Sequence, residues 1–506
     1  MIKKFFFLVL AGTVSTLCGQ TLQKTAVKIS ELKIVTSFAG NYGSIYGFGS
    51  DENNYYVYHG HENSFFIINK KFTTSKECLI KGEKSDRFLK ILMTEEDVVV
   101  FVARNKKSEQ KMQIVKQLYS KTTGKLKDET VIAHSTMSKS ESWFFMSETS
   151  PDKTKTGYVF MIASKKNTVD SYYAAVLDQD GNLEWDATHD LELSNEVFVV
   201  QDLSVTNKGE LYLALLSFPE KAKKAADKKT YIDLVFLTDG TKEKMKMPLE
   251  KYSEADVKLK VLKNGDVYLA ALFAVDDDSY KKEFFSMKIN SQNFNDAGSH
   301  KKEIEENNTH IRLPASYFIP GKYLYNLGIE KILELDNGTI AVVCEQGASV
   351  MFRSGSYQNP MIMYVKIRGS VTTFFVNGND ASIKDVSVME KLQMNRSQAN
   401  YDAKCFNLSI FPFVYGNKVG YLFNDCLKKY TTPAKYKGTS FKNTDGKDAC
   451  IVLSTQESGD KAKIELLSGN KEAGRLFRQI LFEEDDRLVL LTQNSKGAYI
   501  ELLSLP

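Results

Sequence analysis

One pattern limits what this chain can fold into more than any other: an apolar strand, a polar tight turn, then a second and more continuously apolar strand. It is plainest in LSVTNKGELYLALL (Leu203 to Leu216), KLKVLKNGDVYLAALF (Lys258 to Phe273) and KILELDNGTIAVVCE (Lys331 to Glu345). It returns in FPFVYGNKVGYLF from Phe411 and ILFEEDDRLVLLT from Ile480. Looser copies begin at Ser44 (SIYGFGSDENNYYVYHG), Phe88 (FLKILMTEEDVVVFVAR) and Trp143 (WFFMSETSPDKTKTGYVFMIAS). These eight copies start about 60 residues apart on average. A repeat of that length made only of strands cannot bury its faces alone and must stack on its neighbours around an axis, as the blades of a β-propeller do.

Between copies the sequence has room for two more strands, such as SFFIINKK and SKECLIKG, MQIVKQLYS and ETVIAHS, or YIDLVFLTDG and KMKMPLE. Four strands per repeat make one blade. The expected fold is therefore all-β: a β-propeller of eight four-stranded blades, with seven as the alternative count. The last repeat supplies only three strands, ending in AYIELLSL. ISELKIVTS, Ile29 to Ser37, is the candidate fourth, closing the ring from the N-terminal side and removing exposed sheet edges. No long helical periodicity competes; EKAKKAADKK, Glu220 to Lys229, reads as a solvated excursion. Loop insertions are expected near 307–326 and 376–403.

VLDQDGNLEW, Val176 to Trp185, tests a metal reading. Asp178, Asp180 and Asn182 alternate like the first ligands of an EF-hand, but that loop needs glycine sixth and glutamate twelfth. Here those positions are Leu183 and His189. An Asp-Gly step between strand-like runs instead specifies a hairpin. The same stretch resembles the strand–turn–Trp repeat of quinoprotein propellers, yet it occurs once, so no cofactor is assigned.

MIKKFFFLVLAGTVSTLCGQ has the basic start, short apolar core and small residues of a secretory signal peptide, residues 1–19, leaving 20–506 as a single propeller domain. Acylation at Cys18 is the alternative, and Leu17 before it is bulkier than such a site favours. The expected location is periplasmic or secreted. The net charge of +4 falls by two when Lys3 and Lys4 leave. With no basic stripe carrying aromatics, nucleic acid is not an expected partner, and no later segment is apolar enough to span a membrane.

Five cysteines remain: Cys78, Cys344, Cys405, Cys426 and Cys450. The last three fall in one repeat, where one disulfide fits and the pairing is open. His59 and His61 (HGHE) and Asp276 to Asp278 are candidate metal ligands that read as polar loops. His134, His189, His300 and His310 have no ligand spacing. Glu345 and Asp425, just past second strands, are the carboxylates to inspect for acid–base chemistry. No catalytic, cofactor-binding or metal residues are assigned.

The succession VLDQDGNLEW, VTNKGELYLALLS, VLKNGDVYLAALF, LELDNGTIAVVCEQ and YLFND resembles the secreted, functionally uncharacterised β-propeller proteins of Gram-negative bacteria. The resemblance covers nearly the whole mature chain as a repeat style and implies export to the periplasm or envelope. It transfers no site residues. The expected function is a monomeric scaffold binding an envelope protein or polysaccharide. The alternatives are a hydrolase or lyase working at the central channel, and a metal-stiffened structural propeller.

Overall fold

The computed structural model describes residues 23–29 and 45–504, apart from interruptions in the connections, of which 220–229, 305–325, 398–408 and 427–448 are the longest. It is all-β, with eight antiparallel blades of at least four strands arranged as a ring. Blade 1 runs from Ile45–Ser50 to Ser75–Leu79, blade 2 from Asp86–Met93 to Leu126–Thr136, and blade 3 from Ser142–Thr149 to Leu183–Asp190. Blade 4 spans Glu196–Val205 to Thr241–Leu249 and blade 5 Ala255–Val261 to Asn295–Ile304. Blade 6 runs from Asn326–Glu334 to Ile383–Met389 and blade 7 from Phe411–Tyr415 to Lys463–Ser468. Blade 8 joins Leu476–Glu484, Arg487–Asn494 and Gly497–Ser504 to Gln23–Ile29.

The N-terminal strand thus closes the ring, pairing Val27 with Ile500 and Ile29 with Ala498. It lies earlier than expected: Ile29 is its last residue, and 30–37 lie outside the described residues. QKTAVKI supplies the same alternation as the segment after it, so sequence pattern alone did not choose between them.

Each blade's first strand packs against the first strands of both neighbours, which closes an inner circle. Alternation does the rest. In blade 1, Tyr55 and Val57 join a core with blade 8, whereas Tyr56 and Tyr58 join one with blade 2. Eight such cores, one per interface, occur among the described residues. Second strands are therefore apolar on both faces: Val98 to Ala103 and Val267 to Phe273 are at most 1% exposed.

Three of the tight turns share one construction. Gly209, Gly265 and Gly338 sit between first and second strands at φ of 81°, 90° and 75°. Each donates its N–H to the carbonyl three residues back, at 2.9 to 3.0 Å. Only glycine takes this left-handed position without strain. Gly181 of VLDQDGNLEW repeats the geometry at φ 75°, but between the third and fourth strands of blade 3. Its Asp178 carboxylate accepts the N–H groups of Asp180 (2.9 Å) and Asn182 (2.7 Å) and the Asn182 side-chain amide (3.0 Å). The acidic residue holds the turn together.

Because strands alternate in direction, first-to-second and third-to-fourth turns share one face of the ring, and the remaining connections share the other. On the first face no connection exceeds six residues. On the second, chain stretches 220–229, 305–325, 390–410 and 427–448 leave and re-enter blades 4 to 7. There too the second and third strands of blade 6 run on as Thr339–Ser356 and Asn359–Asn377, far longer than their counterparts. The stretch 376–403, expected as a loop insertion, contains the blade's fourth strand, Ile383–Met389, and an added strand, Gln393–Ser397, on the extended hairpin. The decoration begins earlier than expected because TIAVVCE continues as strand instead of ending at Glu345. Glu220 to Lys229 lie outside the described residues.

Candidate functional site

At the base of the extended hairpin the two long strands bulge together: Glu345 pairs with Val371, but Gly347 pairs with Arg368. A bulge leaves a residue unpaired and re-aims its side chain. Gln346 uses this freedom to accept the Ser370 N–H at 3.0 Å. Glu345, opposite Gly328 near the start of the first strand, lies on the face with the long connections.

Glu345 has no exposed surface. One carboxylate oxygen takes a short bond from the Lys391 ammonium, and the other accepts from the Ser409 hydroxyl at 2.6 Å. Lys391, on the chain just past the fourth strand, has a fully buried side chain. It also donates to Gln393 Oε1 at 2.7 Å, and Gln393 Nε2 donates to the carbonyl of Asn424 on the second strand of blade 7. Arg368 Nη1 lies 3.8 Å from Glu345 and 3.5 Å from Glu330. A single hydrogen-bonded network thus ties the hairpin base, the added strand and blade 7 together.

Burial pushes the Lys391 ammonium below the usual lysine range, with Glu345 pulling the other way. Burial and the charge of Glu345 together raise the Glu330 carboxyl to about 6, although its side chain keeps 30% exposure. Asp425, 1% exposed, acts on Lys391 through its charge and accepts the Cys426 N–H at 2.7 Å. The two carboxylates singled out in the sequence therefore belong to one buried cluster. An amine of depressed pKa beside a carboxylate has the electronic character of an acid–base pair, but this one is sealed from solvent in the described structure. Its evident work is mechanical.

Lys391, Arg368, Gln393 and Ser409 carried no sequence signal, since VMEKLQMNRS looks like any polar strand border. A comparable structural cluster holds blade 2: the Arg104 fork meets Asp86 (2.9 Å through Nε and through Nη2) and Glu129 (2.8 Å).

His59 ends the second strand of blade 1 and is 4% exposed, packed near Phe66; His61 and Asp276 to Asp278 lie outside the described residues. Burial lowers the pKa of His189. No group of three or more His, Cys, Asp or Glu residues suited to a metal ion occurs among the described residues. No disulfide joins Cys426 to Cys450, and Cys405 lies outside the described residues. Trp185 is a strut between blades, donating from Nε1 to the Gly209 carbonyl at 3.0 Å. No described helix is long and apolar enough to cross a membrane.

No family model and no curated protein matches the chain. Among solved structures it is similar to the Dos1 propeller, at 7% identity over 93% of this chain and 94% of that one, TM-score 0.41. It is also similar to the quinohemoprotein alcohol dehydrogenase of Comamonas testosteroni, at 8% identity over 93% and 77%, TM-score 0.40. The β-propeller domain of the trilobed protease from Pyrococcus furiosus matches at 11% identity over 86% and 98%, TM-score 0.30.

Proposed function

We propose that the protein is an exported propeller of the cell envelope that binds a protein or polysaccharide through the face bearing its long connections. The observation that supports this reading is the difference between the faces. One is closed by short turns whose hydrogen bonds are satisfied locally. The other carries every long connection and an extended hairpin fixed by the buried Glu345–Lys391 network. Ordering a projecting element costs conformational entropy, and anchoring one with a buried ion pair suits a rigid recognition surface. Loops displayed on a rigid scaffold are where binding residues concentrate.

The test is cross-linking of the tagged mature protein in intact cells, followed by identification of what it captures. A variant with 349–366 replaced by a tight turn should lose the dominant partner while keeping the far-ultraviolet circular dichroism of the native chain. Shortening a turn on the opposite face should leave capture unchanged. Equal loss from both faces, or glycan or ester turnover by the purified protein, would overturn the binding reading.

A further inference from the structure

The extended hairpin is a small sheet with one covered edge and, among the described residues, one bare edge. Its third-strand portion, Tyr364 to Arg368, is covered by the added strand: Gln393 pairs with Arg368 and Ser397 with Tyr364. Its second-strand portion pairs with the first strand of the blade only as far as Gly347, opposite Asn326. Beyond that, Ala348 to Ser356 pairs on one side alone, with Asn359 to Ile367. Among the described residues no strand lies on the other side.

The phase of the bare edge follows from the hairpin's two-residue connection, 357–358. In such a hairpin the closing pair, Ser356 with Asn359, exchanges both backbone hydrogen bonds. Positions 356, 354, 352, 350 and 348 then bond inward. Ser349, Met351, Arg353 and Gly355 turn their N–H and C=O groups to the open side. From Ser349 to Gly355 that is about 20 Å of strand edge at the usual rise per residue. Lower down, this same edge carries the blade's innermost strand, so it faces the axis of the ring on the face with the long connections.

Edges of this kind are normally blunted by lysine, proline or a local bulge. The sequence ASVMFRSGS contains neither lysine nor proline and has a single charged residue, Arg353, and the bulge lies below it, at Glu345 and Gly347. The base cannot swing away, because Glu345, Lys391 and Gln393 lock it to blade 7.

We propose that Ser349 to Gly355 is a strand-addition site: an extended peptide segment of a protein partner pairs with this edge and becomes a further strand of blade 6. The proposal rests on the binding function above and specifies its partner as a polypeptide with a free extended segment. Main-chain hydrogen bonds supply the affinity, which sets it apart from a carbohydrate surface.

The experiment uses the full chain with a photo-reactive benzoylphenylalanine at Arg353, and in a second strain at Asn63 on the same face across the ring. Cross-linked peptides from cells are sequenced, and the synthetic peptide so identified is titrated into purified protein. The expected result is one extended segment captured at Arg353, with the Met351 and Arg353 amides protected from exchange on binding. Met351→Pro, which deletes an outward donor and no inward one, should weaken the peptide about ten-fold, roughly one ladder hydrogen bond. Met351→Ala should leave it unchanged. Cross-links from Arg353 only to residues 305–325 would mean that the chain covers its own edge and would overturn the proposal. So would peptide binding indifferent to Met351→Pro. Capture at Asn63 with neither effect at the edge would sink the strand-addition site and leave the binding function standing; no capture at either position would sink both.

Discussion

Replacing Lys391 with methionine isolates the energetic role of the buried network. The change removes the ammonium and leaves Glu345 charged, with no exposed surface. Removing one partner of a buried ion pair costs about 3–5 kcal/mol, because the other is left uncompensated. The Ser409 hydroxyl at 2.6 Å and Arg368 at 3.8 Å still face the carboxylate, which argues for the lower end. An eight-bladed ring need not unfold in one step, so the assay is native-state amide exchange of the strand Gln393–Ser397. A loss of about 3 kcal/mol corresponds to exchange roughly a hundred-fold faster. Glu345→Gln should produce a similar effect. The double variant should cost less than the two singles combined, by about 2 kcal/mol, because neither charge then remains buried alone. Unchanged exchange in Lys391→Met, or strict additivity in the double variant, would refute the idea that the pair holds the hairpin base.

Three further outcomes are expected. Gly47→Ala drives a methyl into the Leu481 carbonyl and the Phe482 ring, at the seam between first and last blades; the strand backbone at Leu481 must shift and the ring must repack, and the melting temperature should fall with a loss of about 3 kcal/mol. Arg104→Lys abolishes the fork to Asp86 and Glu129 and should cost about 2 kcal/mol in thermal denaturation at neutral pH. Arg104 holds the Glu129 carboxyl below its ordinary value, so that stability is present at neutral pH and lost on acidification, and the lysine variant should show a shallower acid loss. Glu330 behaves oppositely: raised to about 6 by burial and by Glu345, it favours the fold below its ordinary range, and this contribution is lost as pH rises through 6. Glu330→Gln should therefore stabilise at pH 7.5, by about 1 kcal/mol at most given solvent screening, and be neutral near pH 4.5 in denaturant titrations.

The fold was legible because its signal is repeated and local. All eight strand–turn–strand units read from sequence are the first two strands of the eight blades. Each is set by alternation and by a short polar turn, which in blades 4 to 7 carries a left-handed glycine (Gly209, Gly265, Gly338 and Gly416), properties contained within about fifteen residues. The hairpin at VLDQDGNLEW was legible for the same reason, although its place as an outer turn required the strand count around it. The candidate site was only half legible. Glu345 and Asp425 stood out as carboxylates after apolar strands, but Lys391, 46 residues from Glu345, has no local mark of burial. What buries it is the continuation of the blade 6 hairpin and the return of chain through Gln393, both tertiary events. The closing strand was misplaced by several residues because two adjacent segments alternate equally well, and only pairing with Gly497–Ser504 distinguishes them.

The two faces differ in how their connections are built. Along the short-turn face, N–H groups such as those of Gly181, Gly209, Gly265 and Gly338 find partners within their own turns. The eight interface cores depend on alternation within the strands, not on what joins them. Lengthening a connection on the opposite face then costs little beyond loop-closure entropy, which grows only slowly with length. Blade 6 takes this furthest. Its second and third strands outgrow the ring, and a buried Glu–Lys pair, weak as a source of net stability, fixes the direction in which they leave. Substitutions at the interface cores should therefore unfold the protein, whereas loss of an outward backbone donor along Ser349 to Gly355, as in Met351→Pro, should weaken binding of the proposed peptide and leave the ring folded.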